Sequence, residues 1–340
     1  MNIRDLINRY KTDDRVTQFT KALNATKNPK IQLKGLVGSA DAVAAVSTYF
    51  LLHKPQLFIL PNREEAAYFI SDLESILGKE VLLFPSSFRK AFEFTQIDTA
   101  NVLARAEVLN ELNHQSEYGQ IVVTYPEALA EKVIDRSVLE KNTLEISVSA
   151  NLSIDFINEF LFEYDFERSD FVYEPGQFSI RGGIVDIFSF SSDLPYRIEF
   201  FGDEIDSIRT FDIETQLSKE KVTKIAIIPN VENKILQENR ENFLDYISEK
   251  TVIVLQNTDL LGGKLDRLFE KAKEAYSKLT LTIHHAKPEE LFVNQETFLK
   301  RALDFSIIEL DKNPVFKSEK TVEFYTQPQP SFNKQFDLLM

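Results

Sequence analysis

The chain has 340 residues, with 53 acidic against 39 basic side chains and a formal net charge of −14. It contains no cysteine and no tryptophan, but 28 phenylalanines and 11 tyrosines, and an apolar fraction of 43%. That fraction excludes general disorder, and the missing cysteine excludes disulfides, thiolate zinc sites and a cysteine nucleophile, as suits a reducing compartment. The acid excess argues against a general phosphate-binding surface, because nucleic acid repels a strongly negative partner unless a local basic patch compensates. The opening residues Met1 to Arg15 lack the apolar core of a signal peptide, and the longest apolar stretch, around Val43 to Leu52, is too short to span a bilayer. The expectation is a soluble, cytoplasmic protein without a membrane partner.

Up to about residue 134, short apolar strands alternate with helices. Ile31 to Leu33 leads into a glycine turn and a helix through Val43, Val46, Phe50 and Leu51. Leu57 to Leu60 precedes a helix capped by Asn62, with Glu65 at capping-box spacing. Val81 to Phe84 and Ile121 to Thr124 are two more strands of the buried type. This alternation specifies a parallel α/β sheet. Between about residues 135 and 231 the rhythm changes. After one helix, Ile154 to Tyr164, strands follow each other around Glu174-Pro175-Gly176, Gly182-Gly183, Ser191-Ser192-Asp193 and Gly202-Asp203. Gly-Asp between alternating runs suits a two-residue hairpin with a primed turn, so this stretch reads as an antiparallel, hairpin-rich α+β unit.

From residue 232 the first rhythm returns, with strands at Thr251 to Leu255 and Phe305 to Leu310 around an amphipathic helix from Asp259 to Ala275. The expected organisation is one α/β domain, residues 1–134 and 232–326, interrupted by an inserted domain at 135–231. Residues 327–340 read as a polar proline linker, Gln327 to Pro330, followed by an apolar i, i+4 pattern that stops at Met340 without a cap. On that pattern the chain is expected to be cut from something longer.

The first strand runs into Gly35, Gly38, Ala40, Asp41 and Ala42 and then a helix, the position of a phosphate-binding loop. Gly35 holds the first glycine place of G-x-x-x-x-G-K-[ST]. Ala40 then replaces the second glycine, Asp41 the lysine and Ala42 the Mg²⁺-binding hydroxyl. A lysine about 4 Å from a phosphate charge gains about 4 kcal/mol at an effective dielectric near 20, and an aspartate loses a similar amount. The loop is expected to bind no ATP. An ordinary glycine turn with Asp41 on the first helical turn predicts the same.

The densest motif is the run from Gly176 to Phe188, with Phe178, Arg181, Gly182 and Asp186, followed by the run from Tyr196 to Asp206, with Arg197, Glu199, Phe200 and Phe201. The two runs match G-x-F-x-x-R-G-x-[IVL]-[IVL]-D-[IVL]-F and [YI]-R-[IVL]-[DE]-F-F-x-D-E-I-[DE] at every specified position. They resemble the domain shared by bacterial UvrB excision-repair proteins and transcription-repair coupling factors (the Mfd family). The eroded loop favours the coupling factors, since UvrB looks to need an intact one. So does the interval Pro85 to Thr99, with three Phe and no Tyr where UvrB carries a long Tyr-rich hairpin.

The resemblance implies a RecA-like parallel-sheet domain with a degenerate P-loop, interrupted by the antiparallel domain. It implies a non-enzymatic module without cofactor, whose inserted domain recruits UvrA in transcription-coupled nucleotide excision repair. ATP and Mg, RNA polymerase and DNA would belong to a downstream translocase motor and neighbouring domains, and a C-terminal domain would mask the UvrA surface. The alternative is a UvrB-type ATP-dependent excision-repair protein that binds damaged DNA. The residues matching the family's UvrA contacts are Arg181, Arg197 and Phe201.

Side-chain alternation bears on the same residues. Tyr196, Ile198 and Phe200 share one strand face, the expected core face, and Arg197, Glu199 and Phe201 share the other. An exposed aromatic beside arginine suits an interface anchor. The alternative is that Phe201 packs under a loop while the arginines pair with local acids such as Glu199 or Asp203. Asp186, without a base or metal ligand nearby in sequence, is expected to accept hydrogen bonds from turn amides. The histidines, His53, His114, His284 and His285, have no metal-ligand spacing, and His53 reads as a helix end. No catalytic residue or metal site is expected, and the lysines between Lys264 and Lys273 are balanced by acids.

Overall fold

A computed structural model describes residues 3–87, 99–113, 119–137, 142–190, 192–228, 240–278, 287–310 and 313–327. The first elements are α1 (Ile3–Thr12), α2 (Asp14–Ala25), β1 (Lys30–Lys34), α3 (Ala40–Leu52), β2 (Gln56–Ile59) and α4 (Arg63–Leu77). They are followed by β3 (Leu82–Leu83), α5 (Thr99–Asn113), β4 (Ile121–Thr124), α6 (Pro126–Leu129) and β5 (Val133–Ile134). Helix starts follow local chemistry: Asp13 caps α2 through the Arg15 N–H, and Asn62 accepts the Glu65 N–H at 2.8 Å to open α4. His53 ends α3 in the left-handed region. Strands β2 and β4 are buried on both faces, which is why they read as unbroken apolar runs.

The middle of the chain forms β6 (Leu144–Ser147), α7 (Ile154–Glu163), β7 (Glu167–Arg168), β8 (Gln177–Arg181) and β9 (Ile184–Ile187). Then come β10 (Tyr196–Phe201), β11 (Glu204–Phe211), β12 (Ser218–Val222) and β13 (Lys224–Ile227). Six strands make one sheet in the order β12-β11-β10-β9-β8-β7, antiparallel except for the β7–β8 pair, and β6 pairs with β13. The β10–β11 hairpin closes through the two residues Gly202 and Asp203, with Gly202 at φ 65°, a conformation that favours glycine. One face of this sheet packs Phe178, Val185, Ile187, Ile198 and Ile208 against Ile157 and Leu161 of α7.

The chain returns through β14 (Arg240–Glu241), α8 (Phe243–Tyr246), β15 (Val252–Leu255), α9 (Thr258–Ser277), α10 (Pro288–Leu291), α11 (Gln295–Ala302), β16 (Ser306–Glu309) and β17 (Lys320–Glu323). Seven parallel strands form the larger sheet, in the order β17-β1-β16-β15-β2-β4-β3. Early and late residues therefore share one core, in which Leu57, Val123, Ile253, Ile307 and Val322 are buried together. Phe84 stacks on Phe243 with ring centroids 4.0 Å apart, tying the two parts directly. The α/β architecture with a parallel sheet and an antiparallel-rich second sheet agrees with the sequence reading.

Helices α1 and α2 and strand β17 are additions to that reading. His114, His284, His285, most of the Pro85 to Thr99 interval and the tail after Gln327 lie outside the described residues. Among the described residues, no helix is long and apolar enough to cross a membrane.

Candidate protein-interaction site

Two places were singled out by the sequence, the loop after β1 and the outer face of the antiparallel sheet. At the loop, Gly35 has φ 79°, and a Cβ there would stand 1.9 Å from the Phe324 carbonyl oxygen. Its own carbonyl accepts the Thr326 Oγ1–H at 2.6 Å. The turn is thus pressed against the end of β17. Ala40 opens α3, Ala42 is fully buried, and the Asp41 carboxylate accepts the Ala42 N–H at 2.7 Å. Asp41 borders a cavity of about 20 Å³ lined by Phe19, Leu33, Leu36 and Phe58 among others. Burial pushes its carboxyl up to about 6, against the lowering effect of the Ala42 N–H, and the charges of Asp72 and Glu65 add to the rise.

The outer face of the antiparallel sheet is built by strand register. Asp186 lies opposite Ser179 on β8 and opposite Arg197 on β10, while Val185 and Ile187 point into the core. Asp186 has no solvent exposure. Its carboxylate accepts Arg197 Nε–H at 2.7 Å and Nη2–H at 2.9 Å, and it also accepts an Nη2–H of Arg181. The remaining terminal nitrogen of Arg197, Nη1, donates to the Gln216 carbonyl at 3.1 Å, and its guanidinium lies 4.5 Å from the centroid of the buried Phe211 ring. The Asp186 hydrogen bond holds the Arg197 guanidinium above its usual range. Across β10, Arg209 faces Arg197 in register but turns away to Glu199, at 2.6 Å, so each cation of this like-charged pair has its own acid.

The three residues matched to UvrA contacts therefore occupy different situations. The Arg197 side chain is 16% exposed and held inside the face, whereas that of Arg181 is 37% exposed. Phe201 is 84% exposed, at the hairpin tip of β10 beyond a register shift between Glu199 and Phe200. Asp186 brings the two arginines together, while Phe201 stands about 13 Å along the strand from Arg197 at the usual rise per residue. Packing of Phe201 under a loop is excluded by its exposure. Both arginines do pair with a local acid, as that alternative has it, and the acid is Asp186.

The expectation for Asp186 itself needs correcting. It binds guanidinium groups, not turn amides, because the two-residue loop at Gly182-Gly183 sets it diagonally across from Arg181 on the same face. The sequence held this signal in the alternation of Val185, Asp186 and Ile187. Phe171, whose ring centroid lies 5.2 Å from the Arg181 guanidinium, was not singled out, since it comes from a loop with no alternation to read. Among the described residues, no group of three or more potential ligands is placed to hold a metal ion.

Residues 144–232, which contain all of this face, match the family described as the UvrB interaction domain. The antiparallel unit is thus the part of the chain that carries the likeness to this class of domain. The chain is similar to transcription-repair-coupling factors, in line with the resemblance read from the motifs. It is 34% identical over 217 residues to that of Bacillus subtilis, covering 63% of this chain and 18% of the relative. It is 27% identical over 218 residues to that of Myxococcus xanthus, covering 62% and 18%, and 32% identical over 204 residues to that of Rickettsia typhi, covering 57% and 17%. The chain thus spans under a fifth of the length of these curated relatives.

Proposed function

We propose that the chain is the N-terminal UvrB-like module of a transcription-repair coupling factor, and that its antiparallel unit recruits UvrA to lesions at stalled RNA polymerase. The observation that carries this is Phe201, a large aromatic left in solvent at the end of a face fixed by buried ion pairs, inside the stretch that matches the UvrB interaction domain. Exposed aromatics on rigid supports are the usual anchors of protein interfaces. Arg181 serves as a second contact. Arg197 serves mainly by holding Asp186 and the Gln216 loop in place.

The parallel sheet is read as a RecA-like domain with a degenerate P-loop, split into residues 1–134 and 232–326 around the insert at 135–231. Asp41 in the lysine place, poorly solvated and already crowded by acids, does not suit a nucleotide phosphate. The module is accordingly taken as non-enzymatic. ATP and Mg, RNA polymerase, DNA and a masking C-terminal domain are assigned to the rest of a coupling factor, and the setting is the cytoplasm.

Calorimetric titration with UvrA tests the reading. Phe201→Ala should cost at least about 2 kcal/mol of binding, roughly thirtyfold, with unchanged thermal unfolding. Undiminished binding would overturn the assignment. Saturable ATP binding at micromolar concentration would instead favour an ATP-dependent, UvrB-type enzyme.

A further inference from the structure

On the far side of Arg181 from Phe201, the sheet edge opens into a depression of about 630 Å³, lined by Arg168, Ser169, Asp170, Phe171, Ile180 and Arg181 among others. Strand β7 ends at Arg168, which pairs with Phe178, so among the described residues β8 has no strand neighbour on that edge from Ser179 to Arg181. The Arg168 side chain is exposed and has no hydrogen-bond or ion-pair partner among the described residues. Arg181 uses two of its five N–H donors, one on the Asp170 carbonyl at 2.9 Å and one on Asp186. Phe171 lies beneath the Arg181 guanidinium and stands 6.5 Å from Tyr173, and both rings are about half exposed.

The charges around this depression do not cancel. Arg168 and Arg181 face it beside Asp170, and Asp186, which pairs with Arg181, is shared with Arg197, so these three cations stand against two acids, in a chain whose net charge is −14. At the other side of the face, Arg209 is already neutralised by Glu199. Free donors on two guanidiniums, with aromatic rings alongside, recognise a carboxylate carried next to an apolar side chain.

We propose that the partner interface extends past Arg181 into this depression, where Arg168, Arg181 and Phe171 take an acidic segment of UvrA. The interface then has two anchors, Phe201 at the hairpin tip and Phe171 at the sheet edge, with the Asp186 cluster between them. This rests on the reading that the antiparallel unit binds UvrA.

The test is calorimetric titration of UvrA with the whole chain, wild type and carrying Phe201→Ala, Arg168→Ala, Arg168→Glu or Phe171→Ala, at low and high salt. Arg168→Glu should weaken binding roughly tenfold or more and Phe171→Ala roughly tenfold. Arg168→Ala should weaken it roughly threefold and flatten its salt dependence. All four variants should unfold at the wild-type temperature. If Phe201→Ala weakens binding while Arg168→Glu or Phe171→Ala stays within about twofold of wild type, the second anchor is refuted and the UvrA reading stands. If the wild-type chain does not bind UvrA, both fall.

Discussion

Asp41 and Asp186 are both carboxylates taken largely out of water, and they meet opposite fates. Asp41, on the first turn of α3, has only backbone N–H groups for partners and lies near Asp72 and Glu65, so burial drives its carboxyl up to about 6. Asp186, on β9, has two guanidiniums closing on it and a third cation nearby in register. A buried acid without a counter-charge is a local cost, whereas one with geometric partners organises everything around it. The first place adjoins a turn pressed against β17 by the Gly35 backbone, while the second lies in the face that carries an exposed phenylalanine at its end.

The largest test of this contrast is Asp186→Ala, which leaves the mostly buried Arg197 without its acid. It should destabilise the chain by about 3–5 kcal/mol in denaturant unfolding; a loss under about 1 kcal/mol would mean that the cluster organises nothing. Gly35→Ala comes next. A Cβ 1.9 Å from the Phe324 oxygen, at φ 79°, should cost about 2–3 kcal/mol. A neutral result would show that the loop is not pressed against β17.

Asp41→Asn should act in the opposite direction, stabilising the protein by about 1–2 kcal/mol at pH 7, once the partial exposure of the side chain is allowed for. The sign follows from the raised native pKa: the fold binds the Asp41 proton more tightly than the unfolded chain does. Its contribution is fully present below the ordinary value of 3.8 and is lost as pH rises through about 6. The two proteins should therefore match in stability near pH 3.5 and diverge by pH 7. Smallest is Arg209→Ala, which breaks a half-exposed pair with Glu199 and should cost at most about 1 kcal/mol, less at high salt. If it matched Asp186→Ala, burial would not be what separates the two sites.

Much of this was legible in the residues. Unbroken runs such as Leu57 to Leu60 and Ile121 to Thr124 read as strands buried on both faces, which they are, and glycine pairs marked the hairpins. Phe201 followed from alternation, because a residue out of phase with Ile198 has to leave the core. Pairings between distant segments were hidden. Nothing in Lys320 to Glu323 says that it pairs with Ile31 to Lys34, since no local pattern encodes a neighbour almost the whole chain away. Asp186 was misjudged for a related reason: its partners lie across two turns, and only the register reveals them.

Strand β1 sits between β16 and β17, so the larger sheet is complete only when residues from Lys30 to Glu323 are all present. Among the described residues, the strands of the antiparallel unit pair only with one another, between Leu144 and Ile227. At about 5–20 residues per second, a ribosome makes that unit whole roughly 5–20 s before β17 has been added. The surface that carries Phe201 can thus take shape on the nascent chain while β1 still waits for both of its neighbours. Maturation thus need not follow the order in which the parts begin: the antiparallel unit, begun later than β1, has its strands together first, and the sheet that holds β1 closes last.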